Sequence, residues 1–403
     1  MPTRVLIYTH AFAPKIGGVE TYVMLLAQGL ARRFRQTETD VRVTVVTPTL
    51  AGNWNDAALP FRVMRQPRLA TLLRLFWRAD VIHLAGPTFV PMLFGLLLRK
   101  PVVVEHSLYQ AVCPNGLLLD ERSKTVCPGH FTAQHYSECL LCNAANTSWR
   151  KSLTMLLLTF PRRWLCNKVA RNVVPTQHVG RRVSLPRTVT IQHGVARHAG
   201  LQRSVEGCLI PPICFACVGR LVGEKGLHLL IETVRRLDAA GCNFRLKFIG
   251  DGPERAALEQ AVDALGLRGH VTFTGFLQGE ELENALADVA ALVMPSIWEE
   301  TAGLSAMEHM MRGRLVIATD TGGLGEIVAD AGLKFPLGDV ESLASCMQRV
   351  LDQPSLVKKL GEKARERALQ LFQEERMVAE HMAVYRELLR ESGPAPICVS
   401  GQG

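Results

Sequence analysis

The sequence predicts an α/β protein with two domains, each built around a parallel sheet. Short apolar runs that are typical of buried parallel strands alternate with longer segments whose apolar residues recur at helical spacing. The chain has 403 residues, of which 48% are hydrophobic, and its mean hydropathy is +0.12. This is enough apolar sequence for two domains of about 200 residues each. No apolar run approaches the roughly 18 residues that a membrane-spanning helix needs.

The first strand is expected at residues 4–8, and a loop with Gly17 and Gly18 leads from it into a helix at 19–32. Two adjacent glycines let a backbone approach a phosphate or a sugar closely. As a motif the pair is weak, because it is short and common. Further strands of this domain are expected at 41–47, 80–84, 101–106, 173–176 and 189–195.

Two segments of the first half combine apolar with basic residues. Residues 69–78 predict a helix that packs against the core and keeps its arginines in water. Residues 151–171 join an apolar run to Arg-Arg-Trp at 162–164, a composition that suits a segment lying on an acidic bilayer. Pro161 is expected to divide this segment, so that part of it enters the core.

The strand at 101–106 ends in His106, which is a candidate site residue. Ligands of open α/β sheets bind outside the carboxyl ends of the strands, and this histidine lies at such an end. A purely structural histidine is the alternative.

Four cysteines lie in an insertion at 107–150: Cys113, Cys127, Cys139 and Cys142. Their spacing, C-x13-C-x11-C-x2-C, closes with a pair that suits a metal knuckle, so we expect a structural zinc site. Free buried thiols and a disulfide are the alternatives. The N-terminus enters a strand directly and lacks the apolar region of a signal peptide. We therefore expect a cytoplasmic protein, in which structural disulfides are rare.

The second domain is expected to begin near Pro211. A strand at 215–219 leads into a loop that carries Arg220 and Lys225, and a helix at 227–237 follows. An arginine and a lysine at a strand end can neutralise a diphosphate, the first through paired hydrogen bonds and the second as a point charge.

A further candidate element lies between strands expected at 291–294 and 315–318. It contains Glu300 and Glu308, separated by seven residues, and a helix expected to end near residue 311. Eight residues of helix rise about 12 Å, close to the span of a nucleotide sugar from ribose to hexose. A diphosphate could lie between them on the helix N-terminus. On spacing alone, two solvated glutamates on a surface helix explain the pattern equally well.

Charge differs between the two halves of the chain. Residues 1–205 contain 26 Lys and Arg against 9 Asp and Glu, a balance of +17, whereas residues 206–403 contain 20 against 28. The asymmetry suggests that the first half faces an anionic partner, such as acidic lipid headgroups, a phosphorylated acceptor or nucleic acid. Arginine richness of a GC-rich genome is the alternative. We find no nucleic-acid recognition motif and expect no nucleic-acid partner.

Together these motifs resemble the retaining glycosyltransferases of family 4. Glu300 and Glu308 match the Glu-x7-Glu signature of that family after a Pro-Ser turn, although Thr-Ala-Gly at 301–303 departs from its usual bulky residue and glycine. The sequence VGRLVGEKG at 218–226 resembles the family's donor-phosphate loop. The cysteine-bearing insertion is similar to that of a bacterial subset of the family.

The resemblance implies the GT-B fold, in which two Rossmann-like domains face each other across a cleft. Residues 1–205 would bind the acceptor and carry the insertion at 107–150, and residues 206–373 would bind the donor. A helix at 374–392 would cross back to the first domain, and residues 393–403 would form a frayed tail.

The resemblance also implies transfer of a sugar from a UDP- or GDP-linked donor to a lipid-linked or saccharide acceptor. The product would be a bacterial surface polysaccharide such as lipopolysaccharide, made at the inner face of the plasma membrane. Arg220 and Lys225 would stabilise the leaving diphosphate. Glu300 would position the sugar, Glu308 the ribose and His106 the reacting face, and no catalytic metal is implied. An epimerase of the same fold and an inactive nucleotide-sugar-binding protein are the alternatives. Further substrate contacts would come from Gly17, Gly18, Leu277, Ala302, Gly303 and Leu304.

Overall fold

The chain forms two large parallel sheets in a computed structural model that describes residues 3–34, 41–196, 208 and 210–391. The expected domain boundary at 205/206 and the expected tail at 393–403 lie outside these residues. None of the helices in the described ranges is both long and apolar enough to cross a bilayer.

The first sheet contains seven strands, ordered β3-β2-β1-β4-β5-β8-β9, and all neighbours in it are parallel. Two short strands of the insertion, β6 and β7, pair antiparallel outside that sheet. The strands are β1 (Thr3–Tyr8), β2 (Val41–Thr47), β3 (Arg62–Arg65), β4 (Val81–Leu84), β5 (Val102–Glu105), β6 (Leu119–Asp120), β7 (Thr125–Val126), β8 (Arg171–Val174) and β9 (Thr188–Thr190). The helices of this half are α1 (Gly18–Phe34), α2 (Leu69–Arg78), α3 (Phe89–Leu97), α4 (Tyr136–Ala144), α5 (Trp149–Cys166) and α6 (Gln177–Val183).

The second sheet contains six parallel strands, ordered β12-β11-β10-β13-β14-β15. Its strands are β10 (Ile213–Val218), β11 (Phe244–Ile249), β12 (Val271–Gly275), β13 (Val289–Met294), β14 (Leu315–Thr319) and β15 (Leu333–Phe335). Its helices are α7 (Leu227–Ala239), α8 (Arg255–Ala264), α9 (Gly279–Ala285), α10 (Leu304–Met311), α11 (Gly322–Val328), α12 (Val340–Asp352) and α13 (Ser355–Leu371). The α/β fold predicted from the alternation of apolar runs and helical segments is confirmed.

Helices cover both sides of each sheet, which explains why β10 and β13, the central strands of the second sheet, are apolar along their whole length. In β13 all six residues are buried, as parallel strands covered on two faces require. In the first half, α2, α3 and α5 pack on one side of the sheet and α1 on the other, in two separate core clusters.

The last helix, α14 (Glu374–Glu391), follows the second sheet in sequence but packs against the first half. Its Met377 and Tyr385 are buried in the same apolar cluster as Val23 and Leu26 of α1. The described elements therefore change from one half to the other twice, between β9 and β10 and between α13 and α14.

Helix α5 differs from the expectation, because Pro161 lies inside a continuous helix and does not divide it. Proline removes the hydrogen bond to the carbonyl four residues earlier, which belongs to Leu157. Leu157 is exposed, so water can satisfy that carbonyl and the helix continues.

The side chains of Arg162 and Arg163 also differ from the expectation, because both turn towards the protein. Arg162 donates to the carbonyls of Pro87 and Gln110, at 3.1 and 3.3 Å, and Arg163 donates to the carbonyl of Val183 at 2.9 Å. Burial lowers the pKa of both guanidinium groups. These arginines therefore hold α5 in place and do not face a bilayer.

Candidate active site

The loop between β13 and α10 carries Glu300 at the carboxyl edge of the second sheet. This carboxylate is only 4% exposed. Its Oε1 accepts a hydrogen bond from Lys225 Nζ at 2.7 Å and another from the hydroxyl of Ser296. The loop after β10 and the loop after β13, which are distant in sequence, thus meet at one ion pair. The ion pair joins two of the residues predicted from sequence.

Glycines allow these loops to meet at backbone contact. Gly226 has φ +63°, and a Cβ on it would lie 2.1 Å from the carbonyl oxygen of Pro295. Gly322, with φ +61°, lies against the backbone of Glu299 in the same way, at 2.7 Å. A side chain at either position would push the loop away from its neighbour.

Arg220 lies at the end of β10 with its side chain 71% exposed. The carboxylate of Glu224 is 3.9 Å from it, which is a weak surface contact. Arg220 therefore adds positive charge to the cleft without being committed to a strong internal partner among the described residues.

Glu308 lies in α10, which begins only at Leu304, after Gly303 in a left-handed conformation. The carboxylate is therefore about one turn into the helix, and the expectation of two helical turns between the glutamates is wrong. Burial raises the pKa of Glu308, although the charge of Arg312 opposes this.

The glycine loop of the first half faces the same helix. A Cβ on Gly18 would lie 3.4 Å from Leu304 Cδ1, so the start of α1 and the start of α10 approach each other across the cleft. Ala302 is buried beside them. Leu277 follows β12 and packs against an apolar cluster that contains residues of β10 and β11.

His106 follows β5 and is fully buried. Its Nε2 lies 2.9 Å from Asn172 Oδ1, and burial lowers the pKa of the ring. No surface of the ring is exposed, so direct contact with a sugar would require the cleft to rearrange. Its role on the reacting face stays a prediction.

Contacts between the halves, which sequence reasoning did not find, converge on the same loop. The Thr301 hydroxyl donates to the carbonyl of Ser107 at 2.8 Å. The carbonyl of Thr301 accepts from the Thr176 hydroxyl at 3.0 Å. Arg182 Nε donates to Glu299 at 2.7 Å. The adjacent glutamates 299 and 300 were the sequence feature that could have indicated this interface. Glu300 pairs with Lys225 of its own half, and Glu299 pairs with Arg182 of the other half.

A second contact between the halves lies beside α11. The carboxylate of Glu326 accepts the backbone N–H groups of Gln177 and His178 at 3.0 and 2.9 Å. A cavity of about 680 Å³ next to it is lined by charged residues that include Arg181 and Arg367. That cavity does not include the Lys225–Glu300 pair.

Four buried polar atoms around the loop lack a hydrogen-bond partner among the described residues: His106 Nδ1, Ser107 Oγ, Tyr109 Oη and Trp298 Nε1. Burial raises the pKa of Tyr109, and Glu299 and Glu300 lie close enough to add to that effect. An unsatisfied buried polar atom costs about 1–3 kcal/mol. Ordered water or ligand hydroxyls would remove that cost. The sequence could not indicate that these atoms are buried without a partner, since their environment depends on how the two halves meet.

The four cysteines predicted to bind zinc are all buried in the insertion. Backbone N–H groups point at two of the sulfurs, from Gly129 to Cys127 and from Glu121 to Cys142, both at 3.4 Å. Burial raises the pKa of Cys139 to about 12, and the other three thiols add to the shift. The structure thus brings the cysteines close together, but among the described residues no three of their sulfurs lie within 4.8 Å of one another. The zinc site stays a prediction.

The group that does meet this distance in the described ranges is His83, Glu105 and His381. It lies in the core, and the Tyr22 hydroxyl is 3.2, 3.2 and 3.0 Å from the three side chains. The hydroxyl donates to Glu105. On the outer side, Tyr385 bonds to His83 and His193 bonds to Glu105. His381 Nδ1 donates to the Met377 carbonyl. This is a hydrogen-bonded network that ties α14 to the first sheet.

Two parallel sheets whose loops meet at a charged site are the arrangement expected of the GT-B fold. The sequence model described as glycosyl transferases group 1 matches residues 211–367, and that of glycosyltransferase family 4 matches residues 16–196. Together they cover most of the chain, and the protein belongs to this family. The family predicted from the sequence motifs is confirmed.

Several known glycosyltransferases are similar to this chain. The 2-deoxystreptamine glucosyltransferase of Streptomyces kanamyceticus is 40% identical over 142 residues, which is 35% of this chain and only 36% of that enzyme. The alpha-D-kanosaminyltransferase of the same organism is 26% identical over 78% of both chains.

Solved structures show the same fold over nearly the whole chain. Sucrose-phosphate synthase from Thermosynechococcus elongatus has a TM-score of 0.69 at 21% identity, covering 96% of this chain and 100% of that one. The Anabaena protein HepE, in complex with UDP, has a TM-score of 0.70 at 17% identity, with the same coverage. At these identities the likeness concerns the fold alone.

Proposed function

We propose that this glycosyltransferase moves a hexose from a nucleotide diphosphate sugar to a lipid-linked or polysaccharide-precursor acceptor, with retention of anomeric configuration. The product would enter a bacterial surface glycan such as lipopolysaccharide. The enzyme would be peripheral at the inner face of the plasma membrane. Retention follows from the resemblance to family 4.

The observation that carries the proposal is the Lys225–Glu300 pair at the edge of the second sheet, with Arg220 exposed beside it. When the bond between the sugar and the diphosphate breaks, negative charge develops on the diphosphate. Lys225 and Arg220 would stabilise that charge without a divalent metal. The structural neighbour HepE holds UDP in one structure and UDP-glucose in another, which supports a nucleotide sugar as the donor here.

The remaining roles follow from position. Glu308 would accept hydrogen bonds from the ribose, and the start of α1 at Gly17 and Gly18 would approach the phosphates. The unpartnered polar atoms near Ser107 and Tyr109 would bind sugar or acceptor hydroxyls. The positive balance of residues 1–205 supports an anionic acceptor.

The test begins with thermal-shift and calorimetric screening against UDP-, GDP- and ADP-sugars, since a ligand that binds only the folded protein raises its stability. The sugar that binds is then supplied with a diphosphate-linked lipid acceptor, and the anomeric configuration of the product is read by NMR. Retention in a transferred product supports the proposal. Epimerised donor without transfer, or binding without any reaction, would favour one of the two alternatives.

A further inference from the structure

We infer that α2, α3 and α5 form a docking face for an anionic lipid bilayer. The inference rests on the proposed function, because an enzyme needs to dock on a membrane when its acceptor is linked to a lipid. Exposed apolar side chains and basic residues define the surface.

Helix α5 carries an apolar stripe on its outer side. Trp149 and Trp164 are 55% and 59% exposed, and Leu153 and Leu157 between them are also exposed. With 3.6 residues per turn, these four side chains fall within about 80° of the helix circumference. Exposed large apolar residues normally occur singly on a soluble surface, so a row of four indicates an interaction site.

Helix α2 repeats this arrangement. Trp77 is 65% exposed, Leu69 and Leu73 are exposed with it, and Phe76 turns inward. The helix packs against the core as expected, through Phe76 with Leu72 and Leu75. Its three exposed apolar side chains form a second side that faces solvent. Helix α3 lies between α2 and α5, contacts both, and exposes Leu97.

The three helices lie in one layer, because residues from each of them are buried in one core cluster on the same side of the first sheet. Their outer sides therefore face the same way. A layer of this kind matches a flat bilayer surface better than a groove-forming protein partner, and tryptophans favour the membrane interface.

The charged residues of the three helices indicate that the bilayer is anionic. The sequences of α2, α3 and α5 contain no Asp or Glu. Exposed basic residues on and beside the outer sides include Arg74, Arg78, Arg150 and Lys168. Basic residues near an acidic membrane attract it, and salt weakens the attraction.

The face also adjoins the cleft. Arg162 of α5 donates to the carbonyls of Pro87 and Gln110, which follow β4 and β5 at the carboxyl edge of the first sheet. A headgroup held at the bilayer surface would thus be presented beside the loops that form the candidate site.

The experiment is flotation of the full chain with vesicles of phosphatidylcholine, with and without phosphatidylglycerol. Salt is set to about 0.01 M and about 1 M, where the Debye length is about 30 and 3 Å. Wild type should float with the acidic vesicles at low salt. The variant Leu157→Gln/Trp164→Gln should partition at least about tenfold less, because two large apolar side chains no longer enter the interface. The control Leu265→Gln/Leu337→Gln changes two exposed leucines of the second half and should float like wild type.

A charge pair completes the design. Arg150→Glu/Lys168→Glu should reduce flotation, whereas Lys358→Glu/Lys359→Glu on α13 should not. Nucleotide-sugar binding is measured on every preparation, because a variant that binds the donor is folded. If wild type bound no nucleotide sugar, that result would count against the proposed function and not against the docking face. Absent flotation of wild type, equal flotation on neutral vesicles, or full flotation of the α5 variant would overturn the docking face. A dimer that the α5 variant loses, without flotation of wild type, would assign the face to a second copy of the chain.

Discussion

At the scale of single residues, the candidate site depends on how closely its loops approach each other. Lys225 reaches Glu300 because its neighbour Gly226 packs against the carbonyl of Pro295. Distance along the chain does not predict this contact, since 75 residues separate the two charged groups.

The substitution Gly226→Ala tests that dependence. The new Cβ would lie 2.1 Å from the Pro295 carbonyl oxygen, so the loop must move and Lys225 must leave Glu300. We expect UDP affinity to fall at least about tenfold, because the displaced Lys225 would lose one charged hydrogen bond to the diphosphate. Titration calorimetry measures it.

Gly241→Ala is the matched control. Gly241 has a similar φ, +73°, but a Cβ there would meet no atom within 4 Å. The Gly241→Ala variant should lose only about 1–2 kcal/mol of stability, because alanine is strained in the left-handed conformation. It should bind UDP like wild type. Equal affinity in both variants would show that the close approach of the loops does not matter for the site.

Sequence predicted part of this site because some roles depend on charge and spacing alone. The basic pair Arg220 and Lys225 and the carboxylate of Glu300 belong to that part. Tyr109 and Trp298 were not predicted, since an aromatic residue becomes a candidate only when its polar atom is buried without a partner. That condition depends on packing between segments that are far apart in sequence.

At the scale of elements, the insertion with its cysteines offers a separate test. If Cys113, Cys127, Cys139 and Cys142 bind structural zinc, protein purified under reducing conditions should contain about one zinc per chain. The sulfurs would have to close from their present separation, and metal binding would supply the driving force. Elemental analysis measures the metal.

Cys139→Ser should release the zinc and lower the melting temperature, whereas Cys346→Ser, a buried cysteine of the second half, should keep it. Metal-free wild type of unchanged stability would leave the insertion cysteines as buried thiols.

The buried network around Tyr22 predicts how stability depends on pH. Burial first, and the charge of His381 second, lower the pKa of His83 from 6.5 to about 3. Burial alone would raise the pKa of Glu105, but hydrogen bonds from His193 and His381 lower it from 4.5 to about 2. Below each ordinary value the unfolded chain binds a proton that the folded protein does not. Stability is therefore lost as pH falls, from 6.5 towards 3 for His83 and from 4.5 towards 2 for Glu105.

Urea unfolding between pH 7 and 5 measures the first of these windows. His83 should contribute a slope of up to about 1.4 kcal/mol per pH unit. His83→Gln should reduce the slope, whereas Tyr385→Phe, which removes only a hydrogen-bond partner of His83, should weaken the protein but keep the slope. The same slope in His83→Gln and wild type would contradict the account.

Elements were predicted best where apolar periodicity alone decides them. The strand expected at 291–294 and the end of the helix near residue 311 agree with β13 and α10. Helix α10 begins only at Leu304, because Gly303 takes a left-handed conformation that the spacing of the two glutamates does not reveal. The continuity of α5 through Pro161 was not predicted, because the sequence pattern does not show that Leu157, one turn earlier, lies on the exposed side of the helix.

At the scale of the whole molecule, the two halves meet through polar contacts and through apolar packing, because Ile297 and Trp298 of the second half are buried in a core cluster of the first half. Thr301 bonds to both Ser107 and Thr176, and Arg182 pairs with Glu299. Helix α14 returns to the first half and packs there. The fold of each half followed from sequence, but their mutual placement could not, because these contacts join residues more than a hundred positions apart.

The central claim is that the cleft between the halves transfers a sugar, with Glu300 acting on the sugar and Lys225 on the diphosphate. Glu300→Gln keeps the shape of the side chain and removes its charge. The measurement compares this variant with wild type for UDP affinity and for the rate of transfer from the donor that binds. We predict a UDP affinity within a few-fold of wild type and transfer at least about 100-fold slower, the usual size of a lost charged contact at a reacting centre. Transfer by Glu300→Gln at a rate near that of wild type would contradict the assignment.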